Sequence, residues 1–376
     1  MKLPRPAALL VLSVCLSLAW LVFAPEPLLA QAEPGGANGG RKLTGNLTTG
    51  MSGRTWRISP DGEHVVFTSG AQDQIGLYSV PVDGRSKPVL LGANLTEAWA
   101  ERYTISADGQ WVYYLASPAG SSVLINELVV APVSGGMTTT LFGPAPYIAY
   151  QLTPDQTQIV ASAHVTESSD SANLYVLPVQ DWGVASITAT QLVTGIANYL
   201  ANLTLIAPDG ETILFASWDG PPISERATLY AVPTGGGAVR TLTDHLSLAI
   251  FAASPQFSPD GATVVYPGDA SGTCALCAVK VATGQTVELV PYAAGFGIVD
   301  APQISPDGEY VVFQASPPTQ SVALENLFSV PLAGGAINTL ATVLEDGGRS
   351  IRFSLRRIAN RCSIALSAIR TALMFR

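Results

Sequence analysis

The chain has 376 residues, of which 48 % are apolar and only 12 % charged, and it carries a formal net charge of −9. So acidic a chain offers no broad basic surface to neutralise phosphates, which argues against a nucleic-acid partner. Its three histidines (His64, His164, His245) are never in metal-ligand spacing, while 35 glycines and 27 prolines suit many short strands joined by tight turns.

Residues 1–30 have the pattern of a secretory signal peptide. Lys2 and Arg5 give a positive start, residues 7–24 are almost wholly apolar, and Pro25-Glu26-Pro27 breaks the run. Leu28-Leu29-Ala30-Gln31-Ala32 then offers small residues for cleavage. An uncleaved anchor is the competing reading, because the run is at the lower edge of spanning length. Cys15 lies inside the apolar run with Val14 before it, the wrong context for a lipidated cysteine. The expected location is periplasmic or extracellular, with no stable membrane insertion once the leader is removed. Residues 31–48 read as a linker. Within it Arg41-Lys42-Leu43-Thr44 resembles the last strand of a repeat, and residues 40–45 are expected to act as a closing strand.

From residue 49 a phrase returns six times after an apolar strand. It reads Ile58-Ser59-Pro60-Asp61-Gly62, Ile105-Ser106-Ala107-Asp108-Gly109 and Leu152-Thr153-Pro154-Asp155-Gln156. It continues as Ile206-Ala207-Pro208-Asp209-Gly210, Phe257-Ser258-Pro259-Asp260-Gly261 and Ile304-Ser305-Pro306-Asp307-Gly308. The aspartates are 47, 47, 54, 51 and 47 residues apart. That period, carried by β-rich units, points to propeller blades.

Each unit has four strands. The first precedes Pro-Asp-Gly, a turn in which proline presets φ, aspartate bonds the local backbone and glycine takes the unusual dihedral. The second is apolar and β-branched, as in Val65-Val66-Phe67, Ile213-Leu214-Phe215 and Val311-Val312-Phe313. The third ends in proline, as in Leu77-Tyr78-Ser79-Val80-Pro81 and Leu229-Tyr230-Ala231-Val232-Pro233. A glycine turn such as Ser134-Gly135-Gly136 leads to the fourth, as in Val239-Arg240-Thr241-Leu242. The predicted fold class is all-β: a β-propeller of four-stranded blades, six recognisable over residues 49–343, plus a disrupted or incomplete seventh.

These residues resemble the WD40-like (PD40) repeats of the TolB type, whose pattern is an apolar strand, Ser-Pro-Asp-Gly, a second apolar strand, Leu-Tyr-x-x-Pro-x-x-Gly-Gly and Leu-Thr. The resemblance covers residues 40–343, and the third copy departs most, with Gln156 in place of the turn glycine. It implies a bacterial propeller exported to the periplasm or beyond. The same repeat builds the propeller of prolyl-oligopeptidase-like enzymes, where a hydrolase domain follows.

Residues 344–376 begin a seventh unit aberrantly. Ile351-Arg352-Phe353-Ser354 arrives 47 residues after the sixth unit, yet Leu355-Arg356-Arg357-Ile358 stands where Pro-Asp-Gly is due. Two readings stand. One is a terminal helix with Ile364, Leu366, Ile369 and Leu373 on one face. The other is a frameshift after Ser354, since a shifted frame permits the missing turn.

Cys274-Ala275-Leu276-Cys277 is a lone CxxC that aligns with a third strand. A local disulfide, two buried packing residues, and a redox or metal role all remain open. No nucleophile elbow, phosphate loop, H-E-x-x-H or EF-hand loop occurs, so neither metal nor cofactor is expected. The repeated aspartates Asp61, Asp108, Asp155, Asp209, Asp260 and Asp307 are read as turn residues, each serving its own turn, rather than calcium ligands. The N-x-T sequons at Asn46, Asn94 and Asn202 are read as incidental in a bacterial protein.

The Pro-Asp-Gly and Gly-Gly turns fall on one end of every blade, and the variable connections on the other. The variable end carries Trp99, Arg102, Tyr147, Tyr150, Trp218, His245, Phe251, Tyr292, Phe296 and Asp300 as candidate binding residues, each with packing between blades as its alternative. His64 and His164 are read as ordinary strand residues. The leading expectation is a non-catalytic binding or scaffold protein with a protein or peptide partner. The alternatives are a lyase or hydrolase acting at the channel through Arg102, His245 and Asp300, a detached propeller half of a peptidase, and a non-functional fragment of a longer repeat protein.

Overall fold

The structure is a computed structural model that describes residues 52–71, 74–95, 102–118, 125–167, 170–179, 188–200, 203–218, 226–247, 255–268, 272–296, 300–316, 326–341, 350–358 and 361–369. The leader over residues 1–30, the closing strand at 40–45, Trp99 and Phe251 lie outside these residues.

Six four-stranded antiparallel sheets follow one another, each with its strands in sequence order. The first holds β1 (Ser52–Ile58), β2 (His64–Ala71), β3 (Gln74–Pro81) and β4 (Val89–Leu95). The second holds β5 (Tyr103–Ile105), β6 (Trp111–Ala116), β7 (Ile125–Pro132) and β8 (Thr139–Pro146). The third holds β9 (Ala149–Leu152), β10 (Gln158–His164), β11 (Ala172–Pro178) and β12 (Thr190–Ile196). The fourth holds β13 (Leu205–Ile206), β14 (Thr212–Trp218), β15 (Arg226–Pro233) and β16 (Arg240–Ser247). The fifth holds β17 (Gln256–Phe257), β18 (Thr263–Pro267), β19 (Cys274–Lys280) and β20 (Thr286–Pro291). The sixth holds β21 (Asp300–Ile304), β22 (Tyr310–Ala315), β23 (Asn326–Pro331) and β24 (Asn338–Ala341). A two-stranded sheet of β25 (Ser350–Ile358) and β26 (Arg361–Ile369) comes last. The fold is an all-β propeller of four-stranded blades, with a seventh sheet that is incomplete.

The second strands read as unbroken apolar runs because both of their faces are covered. On β6, Val112 and Tyr114 pack towards the first sheet while Tyr113 and Leu115 pack towards the third. On β14, Ile213 and Phe215 face the third sheet, and Leu214 and Ala216 the fifth. Five apolar clusters of this kind join the six sheets in succession. Burial of two layers of side chains between neighbours supplies what no single four-stranded sheet has, a core of its own.

The turn module involves one more residue than Pro-Asp-Gly. Ser59 Oγ donates to Asp61 Oδ1 (2.5 Å) and accepts from the His64 amide (2.9 Å), while Asp61 Oδ1 also accepts from the Glu63 amide (2.9 Å). The same bonds recur at Ser258–Asp260 and Ser305–Asp307, and with threonine at Thr153–Asp155. These bonds hold the Asp61, Asp155 and Asp260 carboxyls below the usual carboxylate range, the Ser or Thr hydroxyl being the largest cause. Gln156, at the glycine position of the third turn, adopts φ 57°, and its Oε1 accepts from the Ala107 amide of the preceding blade (2.7 Å). Successive turns also abut elsewhere: Gln110 Nε2 reaches Asp61 Oδ2 at 3.5 Å. The Asp61 carboxylate thus serves its own turn and also borders the next one.

The last segment, Arg361–Ile369, is a strand and not the helix that Ile364, Leu366 and Ile369 could form. Its sequence alternates Cys362, Ile364, Leu366 and Ala368 with Ser363, Ala365 and Ser367, a period of two that favours a strand. It pairs with β25 from Ser350↔Ile369 to Ile358↔Arg361. Strand β25 runs straight through residues 355–358, where the other blades turn.

Candidate binding site

The third strands share an irregularity that shapes the variable end. In the first four sheets two residues of the third strand oppose three of the fourth, as in Ile75↔Leu95 followed by Leu77↔Gly92. A second extra residue follows at once, as in Leu77↔Gly92 followed by Tyr78↔Leu90, and the two bend the fourth strand and re-aim the side chain opposite the central leucine. That position is Gly92, Phe142, Val193 and Thr243 in successive sheets.

What stands there decides how each junction closes. At the first junction a Cβ on Gly92 would collide with the Tyr114 ring, whose hydroxyl donates to Leu91 O at 3.0 Å. Burial pushes that hydroxyl up to about 12. At the second, Phe142 lies 4.8 Å from the Tyr175 ring. At the fifth that position is Val290, and Phe296, beyond β20, fills the space instead, meeting Phe328 edge-on at 5.0 Å and Phe313 at 6.4 Å.

The third junction is different. Val193 and Gly195 of β12 leave the stacked pair Phe215–Tyr230 (5.1 Å) beside an open cleft of ≈ 480 Å³. Its walls are Val193, Thr194, Gly195 and Ile196 on one side and Ser217 and Trp218 on the other, with Val239 below. A Cβ added at Gly195 would meet nothing within 4 Å. Trp218, half-buried, is the last residue of β14 at the variable end. The connection after β12 holds it: the Trp218 amide donates to Asn198 O (2.9 Å), and Asn198 Nδ2 donates to Trp218 O (3.2 Å). The Tyr230 ring, the Trp218 indole and the Thr194 and Ser217 hydroxyls around a volume of this size can seat a ring or an apolar side chain of a partner.

The other candidates are distributed around the variable end. Tyr147, at φ 48°, packs on the His164 ring at 4.8 Å, and its phenol is raised by burial and then by Glu167 and Asp170. Tyr150 donates its hydroxyl to Tyr113 O at 2.7 Å and serves the core. Phe296 is likewise partly buried in the cluster between the fifth and sixth sheets. Tyr292 donates to Gly268 O at 2.8 Å. Arg102 is exposed before β5, His245 Nε2 lies 3.4 Å from Asp244 Oδ1 on β16, and Asp300 opens β21. These three stand on the second, fourth and sixth sheets, so no two of them share a sheet.

Cys274 and Cys277 form a disulfide on β19, with Cα atoms 5.8 Å apart. The fifth sheet differs in one of its two shifts: Cys274↔Pro291 is followed by Leu276↔Val290, which puts the extra residue on the third strand, whereas the step on to Cys277↔Glu288 keeps an extra residue on the fourth. Among the described residues Asp61, Glu63 and His64 bring three ligand-type atoms within 4.8 Å, but Asp61 Oδ1 is already spent on Ser59 and Glu63. No helix among the described residues is long and apolar enough to cross a membrane.

Of all these residues, sequence reading found Trp218 but missed its companions Phe215, Tyr230, Val193 and Gly195. The available signal was the comparison of repeats: the fourth-strand position occupied by Phe142 in one unit is filled by a smaller residue in the unit after it.

No protein-family model matches the chain, and no curated protein matches it. Solved structures do. A TolB-type protein from Agrobacterium tumefaciens is 16 % identical with a TM-score of 0.36, over 78 % of this chain and 81 % of that one. The propeller domain of the Trilobed protease from Pyrococcus furiosus is 13 % identical with a TM-score of 0.41, over 78 % and 85 %. An oligogalacturonate lyase from Vibrio parahaemolyticus is 12 % identical with a TM-score of 0.44, over 79 % and 80 %. The likeness is one of fold, and it selects no function.

Proposed function

We propose that the protein is an exported β-propeller that binds a protein or peptide partner through its variable end and performs no catalysis itself. The observation that supports this is the cleft at the third junction, which half-buried Tyr230 and Trp218 line, while aromatic rings fill the first, second and fifth junctions. Aromatic anchors on a rigid scaffold are the usual carriers of binding energy. Export rests on the leader pattern of residues 1–30.

The test is a peptide selection by phage display on the wild-type protein. Peptides so obtained are then measured against Trp218→Ala and against Gln110→Ala, a change at the opposite end. Loss of an anchoring Trp costs about 2 kcal/mol, roughly thirty-fold in affinity. The reading expects that loss for Trp218→Ala and none for Gln110→Ala. Equal binding by both variants rejects the cleft as the anchor.

A further inference from the structure

Tyr103 on β5 donates its hydroxyl to Val66 O of the preceding sheet at 2.9 Å, and Tyr150 on β9 donates to Tyr113 O at 2.7 Å. Each bond spans 37 residues, so the two are one bond repeated. A first-strand aromatic thus fastens its sheet to the second strand of the sheet before. The equivalent residue of the first sheet is Trp56, and it is 68 % exposed where Tyr103 is 1 % exposed. Ile58, two residues along the same strand, is 54 % exposed. The sixth sheet shows the complementary defect. Leu340 on β24 is 42 % exposed, whereas Leu91, Leu141, Leu242 and Leu289 at the same place in earlier sheets are between 1 and 5 % exposed. The first and last complete sheets each present a wall that is covered at junctions between them.

We propose that these walls form a slot for the hairpin β25–β26, which docks there as the first half of a seventh sheet and offers a β26 carbonyl to Trp56 Nε1–H. Three observations name this occupant over others. Residues 342–349 give β24 an eight-residue connection to β25, the same length as residues 197–204, 248–255 and 292–299 at earlier junctions. The hairpin is antiparallel, as every first and second strand is. Ile351 stands 47 residues after Ile304, one repeat on. Indole, like phenol, has a single N–H or O–H to donate, so the fastening bond survives the change from Tyr to Trp.

Acrylamide quenching of the full chain tests this. The difference between wild type and Trp56→Phe isolates one of the six tryptophans. The proposal expects a shielded Trp56 signal in the wild type at every protein concentration. In Leu366→Asp, which places a charge in the apolar row of β26, the quenching constant of that signal should rise several-fold. Leu366→Ser is the milder variant should the charge prevent folding, which far-UV circular dichroism reports. A Trp56 signal quenched as freely in the wild type as in either variant overturns the proposal. So does shielding that vanishes on dilution, which would assign the slot to a second copy of the chain.

Discussion

Replacing Ser258 by alanine isolates the residue that the Pro-Asp-Gly phrase conceals. Ser258 and Thr263 are both buried, and the Thr263 amide donates to Ser258 Oγ at 3.0 Å. Removing that oxygen strands a buried N–H, at a cost of about 1–3 kcal/mol. The bond to Asp260 Oδ1 (2.5 Å) is lost as well, but that carboxylate borders solvent and rehydrates, so it adds little. A loss of about 2 kcal/mol follows, or roughly a thirty-fold faster exchange of the Thr263 amide where local opening governs exchange. Residue-resolved hydrogen exchange is the assay of choice, because a repeat array need not unfold in one step. The fourth unit is a natural control: Ala207 stands where the others have Ser or Thr, and its amide still donates to Thr212 O at 2.8 Å. Ala207→Ser should therefore gain about 0.5–1 kcal/mol, a net hydrogen bond at a half-buried amide. Unchanged protection of Thr263 in Ser258→Ala, or a loss of stability in Ala207→Ser, refutes the reasoning.

The same bonds fix a pH dependence. The Asp260 carboxyl is held below its ordinary value first by Ser258 and then by the Ala262 amide. A depressed folded pKa contributes stability above the unfolded value of about 3.9, and the contribution is lost as pH falls through the folded value. Stability owed to Asp260 is thus flat above about pH 5 and declines in acid. In Ser258→Ala the Asp260 titration, followed by carboxyl NMR, should move back up towards the ordinary value, and the acid decline should shrink with it.

Three further substitutions separate packing from backbone strain and from binding. Gly268→Ala would drive a Cβ into the Cys274 carbonyl oxygen and within 3.1 Å of Cys277 Sγ, so it should cost about 1–3 kcal/mol. Gly62→Ala, whose Cβ meets nothing within 4 Å, should cost only the left-handed strain of about 1 kcal/mol, and thermal melting should rank them in that order. Phe296→Ala should lower stability by about 2–3 kcal/mol, since it removes a ring lying edge-on to Phe313 and Phe328, while leaving affinity at the Trp218 cleft unaltered. Reduced affinity with normal melting would return Phe296 to the binding surface.

The architecture was legible because one turn demands particular residues and recurs at a fixed interval. Proline, aspartate and glycine each answer a dihedral or hydrogen-bond requirement of that turn, and the apolar run after it answers burial on both faces. Even the exception was visible: Gln156 departs from the pattern, and the structure accommodates it with a left-handed backbone and a bond to the preceding blade. Cys277 could be aligned with Tyr78, and each does pair with the aromatic of its second strand, Tyr266 and Phe67. The displaced irregularity of the fifth sheet was not legible, since register depends on pairing between strands rather than on either strand alone. The cleft was hidden for a similar reason. Its walls come from the fourth strand of one blade and the second and third of the next, and an empty space leaves no residue type behind to mark it.

A repeat protein makes most of its surface alike, and likeness cannot discriminate partners. The turn end is built from Ser, Pro, Asp and Gly whose side chains are occupied by their own and neighbouring turns, so little is left there for a ligand to read. Specificity must come from positions at which one unit differs from the others. Three such departures stand out: Val193 and Gly195 where a neighbouring unit has Phe142, Trp56 where others have Tyr103 and Tyr150, and the Cys274–Cys277 pair. All three modify a junction or the variable end and leave the turn end intact. Trp56 exposes aromatic surface where the repeat would cover it, the cleft leaves Tyr230 and Trp218 half-buried, and uncovered aromatic surface is costly to keep unless something occupies it. The two places where this chain breaks its own rule, beside Trp218 and at Trp56, are those at which the proposed partner and the chain's own end would supply the missing cover.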